Sequence, residues 1–381
     1  MKTNQIYSII NDLNKQMTGA LDITVVDTST FVSYGDAVLS SSDTTEGFLN
    51  VLCMQIYKDI VEGRAYKSHM KNYIKDTATF GAIIRKISVD VPDLVEEKAI
   101  PLKDGDSVDQ WEVKLPTVEQ HLFASRNPYS AFITIQRKWL REAFKNEGNM
   151  ETFIASVFMK VQNKLEMSIE NLAKSAMNNY AGIAKASQTI NLVSMYNAET
   201  ESELETGIKA LHNPDFMRYA VGVIKETMVQ FNTMSKLYNY DGKERFTPYA
   251  DQELALLGKF KTQLETVALY GAFNEDYIKL AHKTLVPYWQ GSGNTTPLDF
   301  ASYAKIAVKA RTPKSDEVKD VTLTNVVAML HDTNAVGAYR QMEDVLTTPV
   351  NARGMYYNTF WHEQQSWFNQ TDENFVVFTL N

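Results

Sequence analysis

The chain has a single cysteine, Cys53, among its 381 residues. That excludes a disulfide within the chain and any multi-cysteine zinc site, and it fits a protein made in a reducing cytoplasm. No run of about 18 apolar residues occurs, so no transmembrane helix and no membrane partner are expected. Near the amino terminus Ile6, Ile9, Ile10 and Leu13 fall at helical spacing, broken by Asn11, Asp12 and Asn14. A signal peptide needs an unbroken apolar stretch, so none is expected. Basic charge is short as well: 38 Lys and Arg face 46 Asp and Glu, a formal charge of -8. A general nucleic-acid binder would need a clustered basic footprint to displace counterions.

Catalytic signatures are equally scarce. His362-Glu363-Gln364-Gln365-Ser366 opens like the zinc-protease helix motif, but Ser366 stands where the second ligand histidine belongs. Its neighbours Trp361, Trp367 and Phe368 read instead as the aromatic wall of a sheet. His69, His121, His212, His282 and His331 show no paired ligand spacing. The run 291–294, Gly-Ser-Gly-Asn, lacks the Lys-Ser/Thr ending of a phosphate loop and reads as a turn. Cys53 has no basic or histidine neighbour to activate it. Asp104 and Asp106 flank Gly105, but the rest of a calcium loop is missing, so a solvated hairpin tip is expected. No catalytic residue, cofactor or metal follows from these residues.

What the chain does have is 44% hydrophobic and 11% aromatic residues, material for about two or three lobes at roughly 150 residues each. Residues 1–78 read as a helix, a polar irregular arm at 27–47 and a second helix. Ile84, Lys86, Ser88 and Asp90 then alternate with Arg85, Ile87, Val89 and Val91, a strand ended by Pro92. Asp104-Gly105 signals a turn, and 110–116 and 130–136 supply two further strand-like runs. Such a ribbon is marginal alone, so it is expected to rest on a neighbouring subunit. Ile154, Val157, Phe158, Val161, Leu165, Ile169, Leu172 and Ala176 predict a helix over 150–180 with Asn149 as its cap, about 45 Å long at 1.5 Å per residue. The segment 189–193 reads as a strand, while 216–228 and 252–269 read as helices. A strand at 283–289 is placed on a sheet edge by Pro287. Three β runs follow, at 322–330, 354–362 and 375–380. Arg137, Lys138 and Arg141 form one compact basic patch, either a solvated helix face or an intersubunit ion-pair patch.

This order of arm, long two-stranded excursion, single long helix, α/β lobe and β-rich closure resembles the tailed-phage major capsid fold of the Hong Kong 97 type. The ending, Asn351-Ala352-Arg353-Gly354-Met355-Tyr356-Tyr357-Asn358 with Phe360-Trp361-His362, is similar to a strand of the major head proteins of small podophages of Gram-positive hosts, with Ala352 where their pattern has Pro. The resemblance implies an α+β fold with an N-arm at 1–78, an extended E-loop at 79–136 and a P-domain at 137–204 holding the spine helix. An A-domain at 205–320 and returning P-domain strands at 321–381 would complete it. It implies no enzyme, but a head protein that self-assembles into an icosahedral-type shell around double-stranded DNA, held without sequence-specific binding. Pentamers and hexamers of this chain, a scaffolding protein and a portal are the implied partners. The virion is the implied location, with assembly in the host cytoplasm. Candidate intersubunit contacts are Lys103, Asp104, Gly105, Asp106 and Trp111 on the excursion, and Arg137, Lys138 and Arg141 after it. The alternatives are an encapsulin-like nanocompartment and, in another class, a soluble enzyme with a pocket in the middle lobe.

Overall fold

The computed structural model describes residues 3–17, 21–58, 66–76, 84–90, 102–109, 111, 113–123, 127–271, 283–290, 300–311 and 318–381. Three helices come first, α1 (Thr3–Gln16), α2 (Thr28–Val38) and α3 (Ser42–Lys58), then strands β1 (Ile74–Asp76), β2 (Ile84–Asp90), β3 (Thr117–Phe123) and β4 (Asn127–Gln136). Helices α4 (Arg137–Ala143) and α5 (Glu147–Ile183) lead to β5 (Thr189–Asn191), α6 (Leu192–Thr200), α7 (Pro214–Phe231), β6 (Gln252–Leu257), α8 (Gly258–Gly271) and β7 (Lys283–Val286). The chain closes with α9 (Phe300–Tyr303), β8 (Ile306–Arg311), β9 (Val318–Leu323), β10 (Val326–Asp332), β11 (Val336–Thr347), β12 (Tyr356–Asn369) and β13 (Phe375–Thr379).

One helix organises both cores. The 37-residue α5 spans about 55 Å at 1.5 Å per residue. Along its first half Ile154, Phe158, Val161 and Leu165 pack with Ile6, Ile10, Leu13, Phe31, Tyr34 and Phe48 of α1 to α3. Along its second half Ile169, Ala173, Ala176, Met177 and Tyr180 join the larger core around a five-stranded sheet, ordered β5-β13-β10-β6-β7. A second sheet, ordered β1-β11-β12-β4, lies beside α5, with Phe158 edge-on to Trp361 at 5.9 Å. Two-stranded ribbons β2-β3 and β8-β9 complete the set.

Several local expectations change. The polar stretch 27–47 is helical, not an arm. Asp27 accepts from the Thr30 amide at 2.8 Å while Thr30 Oγ1 accepts from the Asp27 amide at 3.0 Å, a reciprocal cap. Phe31, Tyr34, Gly35 and Val38 then bury one face at helical steps, a period hidden among Ser and Thr. The cap of the long helix is Asn146, three residues before the expected Asn149, and its side chain accepts from the Asn149 amide. Residues 252–257 form a strand instead of a helix. All six are buried between β10 and β7, where both faces of a central strand are covered and alternation disappears. The expected strand 322–330 is two strands, parted at Asn325, whose φ of 56° is left-handed and tolerated by Asn. Strands β8 and β11 were not expected from the sequence at all. The edge placement of β7 agrees with Pro287, while the turn at 291–294 lies outside the described residues. The middle lobe is not closed on itself, since β10 and β13 complete its sheet.

His331 sits fully buried in that sheet, its Nδ1 2.8 Å from the Asp332 carbonyl and its Nε2 3.0 Å from the Tyr73 hydroxyl, with Phe375 stacked on its ring. Burial holds its imidazole down at about 4, outweighing the upward pull of the Asp332 carbonyl and Glu253, while Lys75 adds to the depression. The unfolded chain therefore binds the proton more readily than the folded one. Stability from the neutral ring is complete above the ordinary histidine range and is lost as pH falls toward about 4. Its full extent is on the order of 3 kcal/mol. Asp332, whose carboxyl burial raises, works in the opposite direction. The measurement is urea unfolding of the parent and of His331→Gln between pH 7 and pH 4: the parent should lose more stability than the variant, and parallel losses would count against the assignment.

Candidate functional site

The β2-β3 ribbon is built inside out. Its register pairs Lys86 with His121, Ser88 with Glu119 and Asp90 with Thr117 on one face, and Arg85 with Leu122, Ile87 with Gln120 and Val89 with Val118 on the other. An ordinary amphipathic ribbon turns its apolar face to the body. Here the apolar face, Ile87, Val89, Val118 and Leu122, points to solvent. The charged face is laid against the subunit's own body.

That inner face is a clasp of ion pairs drawn from three parts of the sequence. Lys86 reaches Asp372 at 3.1 Å and also pairs with Glu373, both in the turn between β12 and β13. Arg245 holds the other Asp372 oxygen at 3.1 Å and donates to Ser88 Oγ. Lys243 bridges Glu119 at 2.7 Å and Asp90 at 3.1 Å. Asp372 is wholly buried. Burial alone would raise its carboxyl, but Lys86 and Arg245 outweigh that and hold it below the ordinary range. Burial likewise opposes the Lys243 ammonium, and its bonds to Glu119 and Asp90 more than offset this. The expectation that the ribbon rests on a neighbour is therefore corrected for this face, which rests on its own chain.

Beyond the ribbon, Lys103, Asp104, Gly105 and Asp106 form the expected turn. The Asp106 amide donates to the Lys103 carbonyl at 3.0 Å, and Gly105 takes a φ of 93°, a conformation that favours glycine. Trp111 is 80% exposed, and Val113 and Leu115 are each 77% exposed. The segment 113–116, expected as a strand, lies outside any strand, and β2 pairs with 117–123 instead. Of the basic patch, Arg137 is tied within the chain: its guanidinium donates to the Leu39 carbonyl at 2.8 Å and its amide to the Met355 carbonyl at 2.9 Å. Lys138 and Arg141 point to solvent on α4. The structure thus does not gather these eight residues into one site. The clasp residues Lys86, Ser88, Lys243, Arg245 and Asp372 were missed, because no local pattern links positions so far apart in sequence.

The 351–354 motif has a physical role. Asn351 Oδ1 accepts from the amides of Arg353 at 3.1 Å and Gly354 at 2.8 Å, closing the turn that sends β11 into β12. His362 lies on the solvent face of β12, stacked on Phe360, while Trp361 and Phe368 of the expected aromatic wall are buried away from it. Among the described residues no group of three or more His, Cys, Asp or Glu is placed to hold a metal, and no helix is long and apolar enough to cross a membrane.

The fold built around the long central helix and its sheets is shared with known proteins. The family described as Phi29-like phage major capsid protein matches residues 6–379. This chain belongs to that family. It is 24% identical to the major capsid protein of Bacillus phage B103, over 98% of this chain and 72% of that protein. Among solved structures it is similar to the capsid structure of Staphylococcus phage Andhra, with a TM-score of 0.53 at 10% identity over 85% of this chain and 87% of that one. It is similar too to a chain in the structure of the head fiber and inner core protein gp22 of native bacteriophage P68, with a TM-score of 0.56 at 10% identity and the same coverage of each chain. Those likenesses show the fold, which is the mixed helix-and-sheet Hong Kong 97 type. The chain is a phage major capsid protein, a structural component of the virion and not an enzyme.

Proposed function

We propose that this subunit closes into an icosahedral-type shell of pentamers and hexamers around double-stranded DNA, with the 79–136 excursion reaching over a neighbouring copy. The observation that carries this reading is the outward apolar face of the β2-β3 ribbon, together with the exposed Trp111, Val113 and Leu115 beyond it. Apolar surface gathered on one face and turned to water marks an interaction site. Each contact can be modest, because contacts repeated around a closed shell act together. In this reading 1–78 and 79–136 act as N-arm and E-loop, 137–204 and 321–381 as P-domain, and 205–320 as the A-domain whose rings join subunits. Lys103, Asp104, Gly105, Asp106, Trp111, Lys138 and Arg141 are contact residues, whereas the in-chain bonds of Arg137 favour an anchoring role. A scaffolding protein and a portal assist assembly in the host cytoplasm. The net acidic chain leaves packaged DNA free of tight wall contacts.

Electron microscopy of the chain expressed alone, and with its neighbouring phage genes, tests the reading. Closed shells of uniform size are expected at least in the second case. Shells there but not with the lone chain would support dependence on a scaffold. No shell under either condition would overturn the proposal.

A further inference from the structure

We propose that residues 113–116 of one copy add as an outer strand to the free edge of β4 in a second copy, laying Val113 and Leu115 beside Phe132. The inference rests on the shell reading above and identifies the surface on the neighbour that receives the excursion.

The donor is a segment whose sequence and structure disagree. Trp111, Val113 and Leu115 alternate with polar residues, the pattern of a strand with one apolar face. In the subunit the same residues lie outside any strand, with those three side chains turned to solvent. Among the described residues no backbone hydrogen bond ties Val113 or Leu115 to another segment. Strand preference without a strand is a local conflict that pairing with another chain resolves.

The acceptor is an unprotected sheet edge. Strand β4 pairs with β12 on one side, and among the described residues no strand pairs with its other side. Natural edges are blunted by charge, shortness, bulges or proline. The sequence of β4, Asn-Pro-Tyr-Ser-Ala-Phe-Ile-Thr-Ile-Gln, carries no charge over ten residues, and Pro128 sits at its very start. Its outward face continues an apolar row across three strands, in which Leu346 pairs with Phe360 and Phe360 with Phe132. Phe132, at the end of that row, is 66% exposed, and its ring lies 5.8 Å from that of Phe360. A strand added at this edge would extend the row with Val113 or Leu115.

The occupant must be another copy. Strand β4 lies along Tyr356–Gln365 of β12, whereas Phe123 at the end of β3 sits against Phe368, and the rest of the ribbon is held further on, by Lys243 at Glu119 and by Asp372 at Lys86. These contacts direct the ribbon, and 113–116 beyond it, away from β4 of the same subunit.

The test is site-directed disulfide trapping in assembled shells. Cys53→Ser removes the native thiol. On that background Val113→Cys is combined in turn with Ser130→Cys, Phe132→Cys and Thr134→Cys, three outward positions of β4 that cover the register. Glu226→Cys on α7, paired with Val113→Cys, is the control. Val113, Ser130, Phe132, Thr134 and Glu226 are all exposed in the subunit, so these thiols preserve folding. At least one β4 pairing should convert subunits to covalent multimers on a non-reducing gel, about tenfold above the control. Shells at normal yield with all three pairings as uncoupled as the control would overturn strand addition and leave the shell reading intact. Absence of shells from the unsubstituted chain and its phage neighbours would overturn both.

Discussion

Replacing Asp372 by Asn should free the β2-β3 ribbon from the body of the subunit while both cores stay folded. Asp372 is the one anion touched by two cations of the clasp, Lys86 and Arg245, each at 3.1 Å. It is wholly buried, and both cations keep about a fifth of their side-chain exposure. Removing the negative charge leaves Arg245 without its carboxylate and Lys86 with Glu373 alone, which typically costs about 3 kcal/mol. The side chains that pack the two cores around α5 are other, apolar residues, and the substitution leaves their burial in place. Amide exchange in β2 and β3 should therefore quicken by about a hundredfold, while α5 and β10 keep their protection. Unchanged exchange in the ribbon would show that the clasp does not hold it. The variant also separates two effects of acid. The depressed carboxyl of Asp372 keeps its share of stability above the ordinary carboxylate range and loses it only as pH falls below that range. The His331 contribution fades earlier, between the ordinary histidine value and about 4. Mild acid should thus soften the five-stranded sheet before it loosens the ribbon.

A charged inner face has a structural logic that an apolar one lacks. Ion pairs keep the ribbon oriented without consuming its apolar side chains, which stay available for a second subunit. Ser88, buried beneath Arg245, and Glu119, held by Lys243, set that orientation from opposite strands. The result is a ribbon satisfied by its own chain on one face and exposing apolar side chains on the other.

Much of this architecture is legible in the amino-acid pattern. The three- and four-residue steps from Ile154 to Ala176 specify the long helix, because an element packed against a core on one side keeps its period. The ribbon strand at Ile84–Asp90 follows from alternation, and the Asp104-Gly105 pair declares its turn. Legibility fails where burial is two-sided, as in Gln252–Leu257, since a strand covered on both faces shows a run of apolar residues compatible with a helix. It fails again in α2, where the reciprocal Asp27-Thr30 cap is spelled in residues common to loops. The candidate site is half legible. Alternation in β2 declares two faces, but which of them turns inward depends on Lys243, Arg245 and Asp372, more than a hundred residues away. Apolar residues ordinarily face the core, so the reversed orientation is opposite to the default. Trp111, singled out as a contact residue, does lie exposed in the subunit. Arg137 groups with Lys138 and Arg141 only by proximity in sequence, because its guanidinium is spent on the Leu39 carbonyl.

The outer face of the ribbon yields the sharpest separation of folding from assembly. The double substitution Val89→Lys with Val118→Glu should abolish shells while leaving the free subunit as stable as the parent to within about 0.5 kcal/mol. The two positions face each other across the ladder and both are exposed, so neither side chain supports a core. Opposite charges placed directly across an antiparallel pair contribute roughly 0.2–1 kcal/mol, which offsets the loss of two β-branched residues from the ribbon. At an interface the balance reverses. Two valines that would each gain about 1.5 kcal/mol on burial become two charges that must be stripped of water. That penalty recurs at every copy, so a deficit of a few kcal/mol per contact accumulates around a closed shell. Thermal unfolding of the free subunit and electron microscopy of the same preparation read the two effects independently. A folded variant that assembles at normal yield would remove the ribbon face from the interface. A folded variant that stays unassembled would tie its reversed orientation directly to shell formation.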